Sequence, residues 1–364
     1  MYRGHQPHDR PPGRAPQGAG HSRNGADRAW RADGEPAART TFPGCHRRTA
    51  GGQVLTRSPL PLIIDCDPGV DDAVMLMMAL LSPALDVRAI TTVAGNVPLN
   101  LTSRNARILC QLMDRTDVPV FAGCPRPILR APVTAEDFHG DSGIAGLDPF
   151  EPDRPVDPTH AVMHLVDTLR AAAPGEYTLV VTGPMTNVAA ALVLDPSIAR
   201  GISRLVLMAG ADSEGGNITP HAEFNVFADP HAAAIVFEAG IPATVMSLDV
   251  THTVRAELPR IERLKALRSE KASIMIRLLE AANELEARWK EGRKAPMHDP
   301  STVAFLLAPQ LFTSTPATVS VVTDAGETFG QTQVSTAGGG LHDWVTSADA
   351  DGFFGLIEDI LERA

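Results

Sequence analysis

Residues 62–72 read Leu-Ile-Ile-Asp-Cys-Asp-Pro-Gly-Val-Asp-Asp, so four carboxylates crowd one turn directly after a short apolar run. Ile63 and Ile64, bounded by Pro61 and Pro68, read as the end of a buried strand, and Ala73 to Leu81 as the helix that follows. Asp65, Asp67, Asp71 and Asp72 would then share a strand's carboxyl end and a helix N-terminus. A helix dipole favours one exposed carboxylate by well under about 1 kcal/mol, too little to hold four together. Like charges a few Å apart raise one another's pKa unless a cation separates them. One or two of these residues could cap the helix. All four at this spacing call for a hard, oxygen-seeking cation such as Ca2+ or Mg2+.

From Pro59 onward, apolar strand-like runs alternate with helical ones. Strands are expected at Leu62–Asp65, Val87–Val93, Val118–Ala122, Tyr177–Val181, Leu205–Met208 and Ala243–Leu248. Helices are expected at Ala73–Leu81, Leu101–Met113, Ala161–Ala172, Thr186–Leu194, His231–Glu238, residues 273–291 and a last one over about 352–363. This pattern predicts a single α/β domain with a mostly parallel, open, Rossmann-like sheet flanked by helices. Thr318–Ser335, with Asp324-Ala-Gly326 as its turn, reads as a C-terminal β-hairpin.

Residues 1–57 differ in kind. They hold ten Arg, no Lys and four acidic residues, with abundant Pro and Gly and no periodicity, which predicts disorder. No apolar core follows the charges, so a secretory signal is not expected. A start codon at Val54, just ahead of the first strand, would remove most of this leader, leaving 58–364 as the catalytic domain. The remainder carries 22 basic and 39 acidic residues, a net of −17 that argues against nucleic acid as a partner. No stretch approaches the roughly 20 apolar residues of a membrane span. Cys45, Cys66, Cys110 and Cys124 show neither zinc-like nor redox spacing, so reduced thiols and a cytoplasmic location are expected.

In open α/β sheets ligands bind outside the carboxyl ends of the strands. The chain's unusual polar residues follow the predicted strands: Asp65–Asp72, then Gly95 and Asn96, Thr182-Gly-Pro184, the Asn217–Asn225 loop with Glu223, and Asp249 with His252. His298-Asp299-Pro300 follows a helix instead. Singly, Asn96 and Thr182 are ordinary turn residues and Asp299 an ordinary helix cap. Together they suit one pocket at the sheet's top edge, where two carboxamides and a carboxylate could bind sugar hydroxyls. No Gly-rich phosphate cradle is present, so neither a phosphorylated substrate nor a dinucleotide is expected.

Asp65-Cys-Asp-Pro-Gly-Val-Asp-Asp-Ala73, Thr91-Thr-Val-Ala-Gly-Asn96, Val181-Thr-Gly-Pro-Met-Thr-Asn187, Val206-Leu-Met-Ala-Gly210, Ala222-Glu-Phe-Asn225 and His298-Asp-Pro300 occur in an order that closely resembles the inosine–uridine nucleoside hydrolase family. The resemblance runs from about residue 60 to the C-terminus. It implies Ca2+ held by Asp67, Asp72, Asp299 and the carbonyl of Thr182, with the ribose 2′- and 3′-hydroxyls and a water completing the shell. It further implies Asp67 as general base on that water, Asp71 on the 2′-hydroxyl, and Asn96, Asn217, Glu223 and Asn225 on the other hydroxyls. Met208 would lie near the sugar, His298 near the leaving base, and Asp65 behind the site. The implied reaction is hydrolysis of a ribonucleoside's N-glycosidic bond through an oxocarbenium-like transition state, by a homo-oligomer.

The chain departs from those relatives that carry tyrosines on the helix before His-Asp-Pro. Its only tyrosines are Tyr2 and Tyr177, and Trp289 is the aromatic residue nearest that place. The base preference, and any role for Asp249, His252, His139 or Trp289, stays open. Two alternatives compete. A haloacid-dehalogenase-type phosphatase would use Asp65 as nucleophile and Asp67 as acid/base, but leaves the Asn217–Asn225 loop and Asp299 without jobs. A non-catalytic Ca2+-dependent nucleoside binder would have no need of both Asp67 and His298.

Overall fold

The computed structural model of the chain describes residues 58–289 and 292–364; the expected leader, 1–57, falls outside them. Nine strands form one sheet: β1 (Leu60–Cys66), β2 (Leu85–Thr92), β3 (Val120–Ala122), β4 (Tyr177–Val181), β5 (Ile202–Met208), β6 (Ala243–Met246), β7 (Phe312–Val321), β8 (Thr332–Ser335) and β9 (His342–Ala348). Their spatial order is β3-β2-β1-β4-β5-β6-β9-β7-β8. Every pairing is parallel except those of β7, which runs against both β9 and β8.

The helices are α1 (Val70–Leu81), α2 (Leu99–Leu112), α3 (Glu136–His139), α4 (Ala161–Ala171), α5 (Thr186–Leu194), α6 (Phe224–Ala228), α7 (Pro230–Glu238), α8 (Leu248–Thr251), α9 (Leu258–Lys265), α10 (Glu270–Trp289), α11 (Pro300–Leu307) and α12 (Ala350–Glu362). Strand alternation sorts the core into two layers. Leu62, Ile64, Val180 and Val206 point to the side covered by α1, α2, α10, α11 and α12. Ile63, Leu179, Val181, Leu205 and Leu207 point to the side covered by α4, α5 and α7. Near-continuous apolar strands are what a sheet covered on both faces requires.

The α/β architecture, the parallel core and the Thr318–Ser335 hairpin register match the sequence expectation. Three of the differences bear on the site and the sheet. α1 starts at Val70 rather than Ala73, because Gly69 caps it and Asp72 accepts the Gly69 N–H at 3.0 Å, which places Asp71 and Asp72 inside the first turn. The expected strand Ala243–Leu248 stops at Met246, where Ser247 turns the chain into α8. The hairpin is not an appendage. β9, which was not anticipated, slots between β6 and β7 and joins the hairpin to the main sheet. Its polar-apolar mixture behind Gly338-Gly-Gly340 hides the strand pattern.

The chain winds outward through β1, β2 and β3, then crosses back to β4 beside β1. This reversal is the topological switch point at which open sheets leave a crevice. Asn187, on α5, closes the crevice from below. Its Nδ2 donates to Asp65 Oδ1 (2.8 Å) and the Thr92 carbonyl (3.0 Å), and its Oδ1 accepts the Cys124 N–H (2.8 Å). Asn187→Ala removes three hydrogen bonds, each contributing about 0.5–1.5 kcal/mol net, and leaves the Cys124 N–H without its acceptor, while Thr91 and the Gly123 N–H still serve Asp65 Oδ1 and the Thr92 carbonyl, so urea unfolding should show a loss of about 2–3 kcal/mol. A loss under about 1 kcal/mol would mean that these groups find other partners.

Candidate active site

Asp67 leaves β1 buried, and glycine on either side makes room for it. A Cβ at Gly95 would lie 2.0 Å from its Oδ2, and one at Gly183 2.8 Å from its Oδ1. Asn96 binds the cluster twice over: its backbone N–H donates to Asp67 Oδ2 (2.7 Å), and its Nδ2 donates to the Asp67 carbonyl (3.1 Å) and Asp72 Oδ2 (3.0 Å). Thr182, at the end of β4, donates from Oγ1 to Asp72 Oδ1 at 2.8 Å. Asp299 stands at the start of α11, yet its side chain makes no capping bond. It meets the Asp72 carboxyl instead. Ala256 N–H to the Ala295 carbonyl (2.9 Å) and Met297 N–H to the Val254 carbonyl (2.8 Å) guide this segment to the sheet's top edge.

Asp71, Asp72 and Asp299 offer oxygens that all lie within 4.8 Å of one another. Asp67 adjoins them, feeling the charges of Asp72 and Asp71. Burial, with those charges added, pushes the Asp67 and Asp299 acids well above the ordinary range. Burial raises Asp72 to about 7, Asp71 adding to it. Burial likewise raises Asp65, behind them, to about 6 against its bonds from Thr91 and Asn187. Two carboxyls in hydrogen-bond contact need a proton or a cation between them. Asp67 Oδ1 is buried without any partner. An acceptor-only, all-oxygen cluster with such an orphan fits a hard cation, and the Thr182 carbonyl, which takes one bond from Asn225 Nδ2 (2.7 Å), keeps a second lone pair for it.

The loop after β5 supplies the other wall. Glu223 is buried and caps α6, its carboxylate accepting from Asn225, Val226 and Gly210 N–H groups at 2.8–3.2 Å. Burial lifts it to about 7 despite those three bonds. Asn225 Nδ2 is committed to the Thr182 and Met208 carbonyls, so its Oδ1 is the group it can offer a ligand. Asn217 is the mirror case: Oδ1 accepts the Phe224 N–H at 2.8 Å, and Nδ2 remains. Met208 is buried beneath them with Ala211 and Leu248.

His298 sits across from this wall, its Nδ1 2.8 Å from Thr251 Oγ1. Sequence reasoning missed Thr251, a buried threonine in an apolar run with no polar spacing to mark it. Asn105 was also missed: its Nδ2 ties the Pro68 carbonyl (3.0 Å) to that of Ser142 (2.8 Å). Asp249 anchors the 212–214 loop through the N–H groups of Asp212, Ser213 and Glu214. His139 accepts the Val70 N–H on Nδ1, so that nitrogen is unprotonated despite lying 3.8 Å from Asp71, and burial lowers its pKa. Trp289 stacks on Phe138, centroids 4.8 Å apart.

The family model for inosine-uridine preferring nucleoside hydrolases matches residues 62–355. The chain belongs to that family. The pyrimidine-specific ribonucleoside hydrolase RihA of Escherichia coli K12 is 41% identical over 308 residues, covering 83% of this chain and 98% of the relative. Two solved structures are similar: a plant nucleoside hydrolase, PpNRh1 (TM-score 0.78, 31% identity, 84% of this chain and 99% of that one), and a purine-preferring ribonucleoside hydrolase from Gardnerella vaginalis (TM-score 0.77, 28% identity, 84% and 100%). The family acts on N-glycosyl bonds, which removes the phosphatase alternative. Among the described residues no helix is long and apolar enough to cross a membrane.

Asp65, Asp72 and Glu223 have folded pKa values of about 6, 7 and 7 against ordinary values of 3.8, 3.8 and 4.5. A raised folded pKa means that these acids contribute stability below about pH 4 and lose it as pH rises through about 6–7. The melting temperature of chelator-treated protein should fall between about pH 5 and pH 8. An added hard divalent cation should raise it more at pH 8 than at pH 5. A chelated protein that melts at the same temperature across this span would contradict the buried cluster.

Proposed function

We propose that this nucleoside hydrolase family member cleaves the N-glycosidic bond of ribonucleosides in a Ca2+-dependent reaction, with residues 58–364 as its catalytic domain. The observation that carries the reading is the convergence of Asp67, Asp72 and Asp299, buried and mutually repelling, beside the β1–β4 crevice. Bound by Asp67, Asp72, Asp299 and the Thr182 carbonyl, Ca2+ would neutralise these charges, acidify water and grip the ribose diol.

Asp67 is the general base. Asn96 fixes one of its oxygens, and the unpartnered Oδ1 is the atom that takes the proton from the attacking water. As the C1′–N bond lengthens, the ribose flattens and gains positive charge, which the carboxylates of Asp71 and Glu223 stabilise. Asp71 takes the 2′-hydroxyl. Asn225 through Oδ1 and Asn217 through Nδ2 take the remaining hydroxyls, with Asn96 completing this set and Met208 under the sugar. Thr251 holds His298 at Nδ1 (2.8 Å), and the His298 imidazole, which titrates in the neutral range, is the group that protonates the departing base.

Release of base from a panel of ribonucleosides, with and without chelator, tests the reading directly. No turnover of any ribonucleoside would refute it. Asp67→Asn should lower kcat by about 10²–10⁴-fold in a protein that still melts cooperatively. A site built to pair a hydroxyl rejects an analogue lacking it by up to about 10⁴-fold, so uridine should far outpace 2′-deoxyuridine. His298→Ala should cripple natural nucleosides but spare p-nitrophenyl riboside, whose phenolate leaves without a proton. Asp299→Ala should slow both substrates and raise the Ca2+ requirement. Equal losses on both substrates for His298→Ala would remove His298 from the leaving-group role. Homo-oligomer formation and a cytoplasmic location complete the proposal, and light scattering on the purified protein reads the first.

A further inference from the structure

Glu214 and His252 make a contact that the reaction above does not use: His252 Nδ1 lies 2.7 Å from Glu214 Oε1. A carboxylate only accepts, so Nδ1 carries the proton, and the neutral imidazole offers Nε2 as an acceptor. Burial lowers the His252 pKa, opposed by Glu214 and aided by Arg255 and Arg293, which favours that neutral form. The pair is anchored from both sides. Asp249 holds the Glu214 N–H at 2.9 Å and those of Asp212 and Ser213 at 2.8 Å. His252 directly follows Thr251, the partner of His298, and the two imidazoles lie 5.5 Å apart at 53°. Three residues beyond Glu214 the same loop delivers Asn217. The Glu214 side chain is 42% exposed and that of His252 12%, so the pair is open on its carboxylate side.

The pair therefore links the loop that carries Asn217 to the imidazole assigned to the departing base. We infer that Glu214 is a specificity-determining residue of the nucleobase pocket, its carboxylate held by the His252 Nδ1–H as an acceptor that selects ribonucleosides whose base carries a ring N–H, as uracil does at N3 and hypoxanthine at N1. This rests on the nucleoside hydrolase reading. The physical basis is the cost of an unmatched acceptor. A base bearing a methyl group in place of that hydrogen displaces water from the carboxylate and returns no donor.

The test compares kcat/KM for uridine against 3-methyluridine, and for inosine against 1-methylinosine, in the full-length protein. p-Nitrophenyl riboside, which has no base edge, is the reference substrate for each variant. Wild type should favour the unmethylated nucleoside by about tenfold or more, the scale of one hydrogen bond to a charged acceptor. Glu214→Gln keeps the shape but not the charge and should shrink that ratio severalfold. Glu214→Ala should bring it near unity. His252→Ala removes the donor that orients the Glu214 carboxylate and should shrink the ratio in part. A wild-type ratio near unity overturns the inference. So does a ratio unchanged in Glu214→Gln, which would show steric exclusion of the methyl group. Equal proportional losses on every substrate, p-nitrophenyl riboside included, overturn it as well by assigning the pair a structural role. Wild-type turnover of p-nitrophenyl riboside and uridine separates the two readings. Its absence refutes the hydrolase, whereas normal turnover with an unchanged ratio refutes the acceptor edge alone.

Discussion

Repulsion among buried carboxylates organises this molecule. Asp67, Asp72 and Asp299 are nearly inaccessible, and their acids are pushed upward by burial and by one another. Such a cluster is unfavourable in the absence of a cation, and the surrounding chain is arranged to hold it together. Asn96 and Thr182 aim donors at it. Gly95 and Gly183 leave space that a methyl group would fill. The first turn of α1 contributes the Gly69 N–H. Each of these features is a local concession: two glycines without side-chain packing, a polar helix start, a threonine turned inward. They are consistent with one another only if the carboxylates have work to do.

The sheet order explains how residues as far apart in sequence as Asp67, Thr182 and Asn225 reach one point. β1 and β4 are neighbours although β2 and β3 intervene in sequence, so the turn after β1 and the turn after β4 face each other across the switch point. The β5 loop adds Glu223 and Asn225 from the next strand along. Asp299 arrives by a different route, on a segment zipped to residues 254–256 and fixed by Asn283, which bonds the Ala256 carbonyl and the Ala295 N–H. Even the far end of the sheet takes part. Thr332, at the start of β8, accepts from the Ala211 N–H and donates to its carbonyl, which steadies the root of the loop that carries Asn217 and Glu223.

Much of this was legible before any coordinates. Alternating apolar runs declare the parallel sheet, and polar residues just past each strand mark its ligand-bearing edge. Asp65, Asp67, Asp71 and Asp72 could be grouped because four carboxylates on one turn call for a cation, whereas Asp299 joined Asp67 and Asp72 only through the family resemblance. What escaped notice lacks such a signature. β9 has a mixed pattern behind three glycines, and its pairing with β6 comes from tertiary context. Thr251 and Asn105 look like any helical polar residue, since their importance depends on which atoms they face. Asp249 reads as a possible site residue, but its carboxylate is consumed by backbone N–H groups of the 212–214 loop.

The two ends of the pocket differ in how they are built, and this difference bears on specificity. The sugar end rests on β1, β4 and β5, whose ladder hydrogen bonds fix the loops that follow them. The base end proposed at His298 rests instead on the four-residue α8, and beyond it the four-residue α3 meets the exposed C-terminal end of α10, where Phe138 stacks on Trp289. Short helices and loops tolerate substitution and insertion far better than the centre of a parallel sheet. A pyrimidine-specific relative and a purine-preferring one can therefore share this fold while differing in the base they are named for. The carboxylate cluster sets the reaction, and the periphery sets the leaving group. By this logic the residues that discriminate among bases belong on loops and short helix ends rather than on the strands, which is where the proposed Glu214–His252 pair lies, on the 212–217 loop and at the C-terminal cap of α8.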